Sequence, residues 1–176
     1  MHELYYWIAL RLTIGIGNVN YKNLIEHFNS PEKIFNAHPD ELNKVEGITT
    51  KVVTSILRFQ PNPEIDRELD LIASKDINII TLSSPYYPEN LKNIYDPPPF
   101  LYVKGKIKRE DRNAIAVVGS RIASEYGIMA TEEICRDLAI RGICIVSGMA
   151  RGIDSCAHCA ALASKGKNPC SARFRN

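Results

Sequence analysis

The chain has 176 residues, 45% of them hydrophobic and 24% charged, with a formal net charge of +2. That is the make-up of a globular protein with room for one ordinary domain or a small and a medium one; the near-neutral balance excludes a strong overall pull toward nucleic acid. No apolar run approaches the ~20 residues of a membrane span, the acidic, cleavage-site-free start MHELYYWIALRL makes a poor signal peptide and points to the cytoplasm, and five cysteines, all after residue 134, argue against a secreted disulfide scaffold.

Residues 1–60 read as a small all-α domain. Leu4, Trp7, Ile8 and Leu12 recur at helical spacing over His2–Leu12. Asn18 is placed to cap a second helix with Leu24, Ile25 and Phe28 inward. Ser30-Pro31 and Pro39-Asp40 open two short helices, since proline suits a first helical turn, and Lys51–Phe59 forms a last one. The turns Gly15-Ile16-Gly17 and Gly47-Ile48-Thr49 resemble helix-hairpin-helix turns: glycine allows the tight backbone, the aliphatic plugs the core, and free N–H groups at the next helix start suit a phosphate. Gly15, Gly17 and Gly47 are therefore candidates for a nucleic-acid contact. A plain helix stop, or a protein-docking surface, accounts for them equally, and few basic residues flank them.

Residues 61–113 read as a linker (Gln60–Pro63), a helix over Glu64–Lys75, and peripheral strands over Ile77–Leu82 and Phe100–Val103 that lead into an α/β domain. Between the strands, Ser83–Pro99 is loop-rich. Its Tyr86, Tyr87 and Tyr95 either stack on bases or cover the loop against the core.

Residues 114–166 carry the chemistry. Two β-branched apolar runs, Ala114–Val118 and Ile143–Val146, each end in a small-residue loop bearing an arginine, and each loop opens a helix. This is the alternation of a βαβ unit with a parallel sheet, in which ligands sit beyond the carboxyl ends of the strands. Residues 114–176 hold 8 basic and 5 acidic side chains, so the surplus of positive charge lies with the loops. In the first, Gly119 lets the chain turn, Ser120 offers a hydroxyl, and Arg121 a planar fork matched to phosphate oxygens. Ser124 caps the following helix, Ala130, Ile134 and Leu138 give it a buried stripe, and Gly142 ends it. In the second, Ser147, Gly148 and Gly152 make a permissive loop and Arg151 adds another guanidinium. Asp154 and His158, four residues apart, share a helix face. They read either as a general-base pair or as a loop organiser with a framework histidine. Cys156-Ala157-His158-Cys159 has redox-pair spacing, yet an acidic residue precedes it and its alanines suit close helix packing. No nucleophile elbow, dinucleotide fingerprint or Walker lysine motif is present. Binding rather than turnover follows, with no catalytic residue, metal or cofactor expected.

VVGSRIASEYG followed by IVSGMARGIDSCAHCAAL resembles the DNA-processing protein A family (DprA, or Smf), as do LTIGIG and YYPENLKNIYDPPPFLYVKG upstream, in that order. The resemblance implies an α/β protein: a helical N-terminal domain followed by a Rossmann-like parallel-sheet domain. It also implies a non-enzymatic protein that binds single-stranded DNA, commonly as a homodimer, and helps place the RecA recombinase on DNA taken up in natural transformation. On it, Gly119, Ser120 and Arg121 match the family's phosphate-holding loop, and Ser147, Gly148, Arg151 and Gly152 the facing motif, supported by Asp154 and His158. A nucleotide-binding enzyme or sensor using the same loops, and an inert interaction module, stay open as alternatives. Residues 167–176 depart from the family pattern. They read as an aberrant, out-of-frame tail, which would leave an incomplete sheet with exposed edges.

Overall fold

The computed structural model describes residues 3–164 and 171–172. The chain divides into two compact units, Met1–Lys106 and Ile107–Asn176. The division therefore falls after residue 106, whereas the sequence suggested breaks after 60 and after 113.

The first unit holds helices α1 (Glu3–Leu12), α2 (Asn18–Phe28), α3 (Pro31–Phe35), α4 (Pro39–Leu42), α5 (Thr50–Leu57) and α6 (Pro63–Ser74). A hairpin of β1 (Ile77–Thr81) and β2 (Phe100–Lys104) follows, with the one-turn α7 (Glu89–Lys92) between its strands. One core runs through all but the last of these, from Trp7, Ile8 and Leu10 through Leu24, Ile34, Leu42 and Ile56 to Ile65, Ile72 and Phe100. That shared core is why residues 61–106 belong with the helices. The expected linker is likewise pinned: the Asn62 N–H donates to the Tyr5 hydroxyl at 2.9 Å, while the Asn62 side chain accepts from Glu64 N at 2.9 Å and caps α6. The strands pair antiparallel with each other, Ile77 opposite Lys104 and Thr81 opposite Phe100, rather than joining the later sheet. The cap of α2 is also one residue earlier than expected. Gly17 occupies it with no side-chain hydrogen bond, and Asn18 is already helical.

In the second unit a 3₁₀ turn (Arg109–Arg112) precedes β3 (Ala114–Ala116), α8 (Glu125–Ile140), β4 (Cys144–Val146), α9 (Ile153–Ala163) and β5 (Ser171–Ala172). The sheet has the order β3-β4-β5, all parallel, with Ala114 opposite Cys144 and Ala116 opposite Val146. This is the α/β, Rossmann-like arrangement expected. Ser124 caps α8 by accepting from Gly127 N at 3.1 Å, and Gly142 follows its end with φ +79°. The buried stripe of α8 differs from the expected one. Cys135 and Ala139 face the core, with Leu138 partly buried, and Ile134 is 56% exposed. Small side chains win these positions because α9 packs here through Ala157, Ala160 and Ala161, and close helix approach leaves no room for an isoleucine. Of the expected aberrant tail, 167–176, only the strand residues Ser171 and Ala172 are described; the frame-shift reading concerns residues that otherwise lie outside the described ones.

Candidate nucleic-acid interface

Parallel pairing of β3 and β4 delivers both arginine loops to one edge of the sheet. Val117 N still donates to Val146 O at 2.9 Å, so the strands stay in register up to the loops. Beyond that point the loops lock together. The buried Asp154 carboxylate, at the start of α9, accepts from Gly119 N (3.4 Å) in the first loop. It also accepts from Gly148 N (3.1 Å) and Ala150 N (3.4 Å) in the second. Ile153 N donates to Ser120 O at 3.2 Å, and Ala150 O accepts from both Ser155 N (3.1 Å) and Ser155 Oγ (2.5 Å).

Glycine is required at the contact points. Gly152 has φ +82°, and a Cβ there would run into the Ser120 carbonyl oxygen and come within 2.8 Å of Arg121 O. A Cβ on Gly119 would lie 2.7 Å from the Ile153 side chain, and one on Gly148 3.0 Å from Asp154 Oδ2. The glycines thus serve loop-to-loop contact more than the freedom of a single turn.

This lock redistributes the roles expected of the loop residues. The Gly119, Gly148 and Ala150 N–H groups point at Asp154 and are not offered to an external anion. Ser120 Oγ closes a turn, donating to Ile122 O at 2.7 Å and accepting from Ile122 N at 3.1 Å. Ser147 lies beneath the surface at 5% exposure, its hydroxyl without a hydrogen-bond partner among the described residues. Arg121 and Arg151 are exposed, one on each loop. The arrangement is two permanently charged forks on a hydrogen-bonded base.

The geometry at α9 bears on the sequence alternatives in physical terms. Asp154 is a loop organiser, its lone pairs occupied by main-chain donors. His158 is 93% buried, and its proton affinity is lowered by that burial, against the raising effects of a hydrogen bond to the Ser147 main chain and of the Asp154 charge. It is framework. Burial also pushes the Cys135 and Cys156 thiols up, the latter further raised by Glu132 and Cys159. That is the reverse of what a reactive redox thiol needs. Among the described residues no group of three or more His, Cys, Asp or Glu is placed to hold a metal. Ile153, which fills the space over Gly119 and whose Cδ1 would lie 3.5 Å from a Cβ on Gly127, escaped the sequence reading. Its only signal was an aliphatic side chain between Gly152 and Asp154.

The hairpin glycines belong to the other unit. Gly15 and Gly47 take φ +88° and +80°, and the two turns abut: Asn23 Nδ2 donates to Glu46 O at 3.0 Å and Asn20 Nδ2 to Gly15 O at 3.4 Å. Gly17 has open space around its Cβ position. Tyr87 covers its loop, with its hydroxyl on Pro98 O at 2.7 Å, while Tyr86 and Tyr95 are exposed.

The family model described as DNA recombination-mediator protein A matches residues 78–170. The chain belongs to this family. Among curated relatives, Protein Smf of Synechocystis sp. is 32% identical over 94% of this chain and 42% of its own length. The DNA processing protein DprA of Bacillus subtilis is 37% identical over 60% of this chain and 36% of its own. The chain therefore spans less than half the length of these relatives. The crystal structure of DNA processing protein A from Streptococcus pneumoniae superposes with a TM-score of 0.70 at 27% identity, covering 95% of this chain and 56% of that one. All of the arginine-loop residues fall inside the family match, whereas Gly15, Gly17 and Gly47 precede it.

Proposed function

We propose that this chain binds single-stranded DNA by its sugar–phosphate backbone at the paired arginine loops, as a non-enzymatic member of the DNA-processing family. The observation that carries the reading is the Asp154-centred lock, which holds two exposed guanidiniums, Arg121 and Arg151, at one sheet edge. Guanidiniums pair with phosphate oxygens in forked geometry, and backbone contacts position a strand without reading its sequence. Gly119, Ser120, Gly148 and Gly152 shape the loops, Ser147, Asp154 and His158 support them, and the hairpin glycines Gly15, Gly17 and Gly47 offer a further, weaker contact. In the whole protein this binding serves DNA processing in the cytoplasm during natural transformation, with hand-over of the strand to the RecA recombinase and a homodimer as the working form.

Fluorescence anisotropy of a labelled oligothymidylate across a salt series tests the reading. Affinity falls with salt, and an Arg121→Ala, Arg151→Ala double variant binds more weakly with a slope shallower by about 1.4, from about 0.7 per single-strand phosphate contact. No binding by the folded chain, or an unchanged slope in the double variant, rejects it. A thermal shift with mononucleotides in place of strand binding transfers the loops to a nucleotide-binding role.

A further inference from the structure

The loop that carries Arg151 also carries an apolar side chain in an unusual backbone state. Met149 has φ +54° and is 59% exposed. The cause lies on either side of it. Gly148 N and Ala150 N both donate to the same Asp154 oxygen, at 3.1 and 3.4 Å, so the chain curls around the carboxylate and the residue between them turns left-handed. A non-glycine residue pays a steric cost for that conformation, and glycine would not. Hydrophobic burial compensates little here, because more than half of the residue is exposed. An observed outlier of this kind at a loop apex is a pointer to use. The first loop repeats the pairing of charge with exposed apolar surface: Val118 is 74% exposed and Ile122, next to Arg121, 92%.

Single-stranded nucleic acid presents two surfaces at short spacing, a charged backbone and unstacked base faces. Arginine alone answers the first. We propose, resting on the function assigned above, that Met149 packs against an unstacked base, so that the second loop grips phosphate with Arg151 and base with Met149. A thioether is suited to this: it is polarizable, adapts its shape, and makes favourable contacts with aromatic faces. Such a contact is indifferent to base identity and unavailable in a stacked duplex, so it sets a preference for single strands rather than for a sequence.

The test compares two fluorescent 12-mers with the same phosphates, an oligothymidylate and its fully abasic counterpart, at one salt concentration. The readout is the ratio of their Kd values. The wild-type chain favours the thymidylate probe by several-fold. Met149→Gly, which suits the left-handed backbone and keeps the loop geometry, brings the ratio close to one. Met149→Leu keeps it well above one. A wild-type ratio of one, a ratio unmoved by Met149→Gly, or an equal loss on both probes overturns the base contact. In those cases sensitivity to Arg121→Ala, Arg151→Ala still upholds phosphate binding. Failure of the wild-type chain to bind either probe rejects the phosphate reading and the base contact together.

Discussion

At Gly152 the two loops meet main chain to main chain, and the residue shows how one missing Cβ holds a site. Gly152→Ala forces a positive-φ alanine into the Ser120 and Arg121 carbonyls; a loss of about 3 kcal/mol or more is expected in chemical denaturation. Gly17→Ala, at negative φ with open space around it, costs under about 1 kcal/mol in the same assay. Asp154→Asn preserves shape but replaces one acceptor oxygen with an N–H donor aimed at main-chain N–H groups. Leaving such buried donors unsatisfied costs about 1–3 kcal/mol, and strand affinity falls with it. His158 gives a pH signature. Because burial lowers its folded-state affinity for a proton below the ordinary 6.5, the unfolded chain protonates first as pH drops. The stabilisation is complete above 6.5 and is lost progressively below it. Thermal melts between pH 8 and 5 show that decline, and His158→Gln flattens it.

At the scale of the element, α6 is the clearest case of a segment whose role its own sequence did not announce. Its start was set one residue late: Asn62 and Pro63 read as linker, whereas Asn62 caps the helix and Pro63 is its first residue. Its amphipathic stripe was legible. What it packs against was not, because the stripe Ile65, Leu69, Ile72 fits any apolar partner. The structure gives it the helical core, with Ile65 fully buried. Ile65→Ala is expected to destabilise the first unit by about 2–5 kcal/mol, read by denaturation. The Asn62→Ala cap variant costs about 1 kcal/mol. In α8 the same ambiguity produced an error, since Ile134 lay on a plausible stripe. The choice between it and the neighbouring Cys135 and Ala139 belonged to the alanine face of α9.

At the scale of the whole molecule the chain is two units, each with its own core, and a nearly balanced charge concentrates its meaning in two arginine loops. Local sequence determined the helical N-terminal unit, the βαβ alternation, the loop residues and the family resemblance. These depend on periodicity, caps and glycine spacing, interactions that act within a few residues. Tertiary structure alone decided that residues 61–106 join the helices. It alone spent the loop N–H groups on Asp154, closed the Ser120 hydroxyl into a turn with Ile122 and buried Ser147, leaving the two arginines outward. The physical reason is common to all of these. A hydrogen bond from Gly119 to Asp154 spans 35 residues, and no local pattern states which of several donors and acceptors will meet once the strands have aligned.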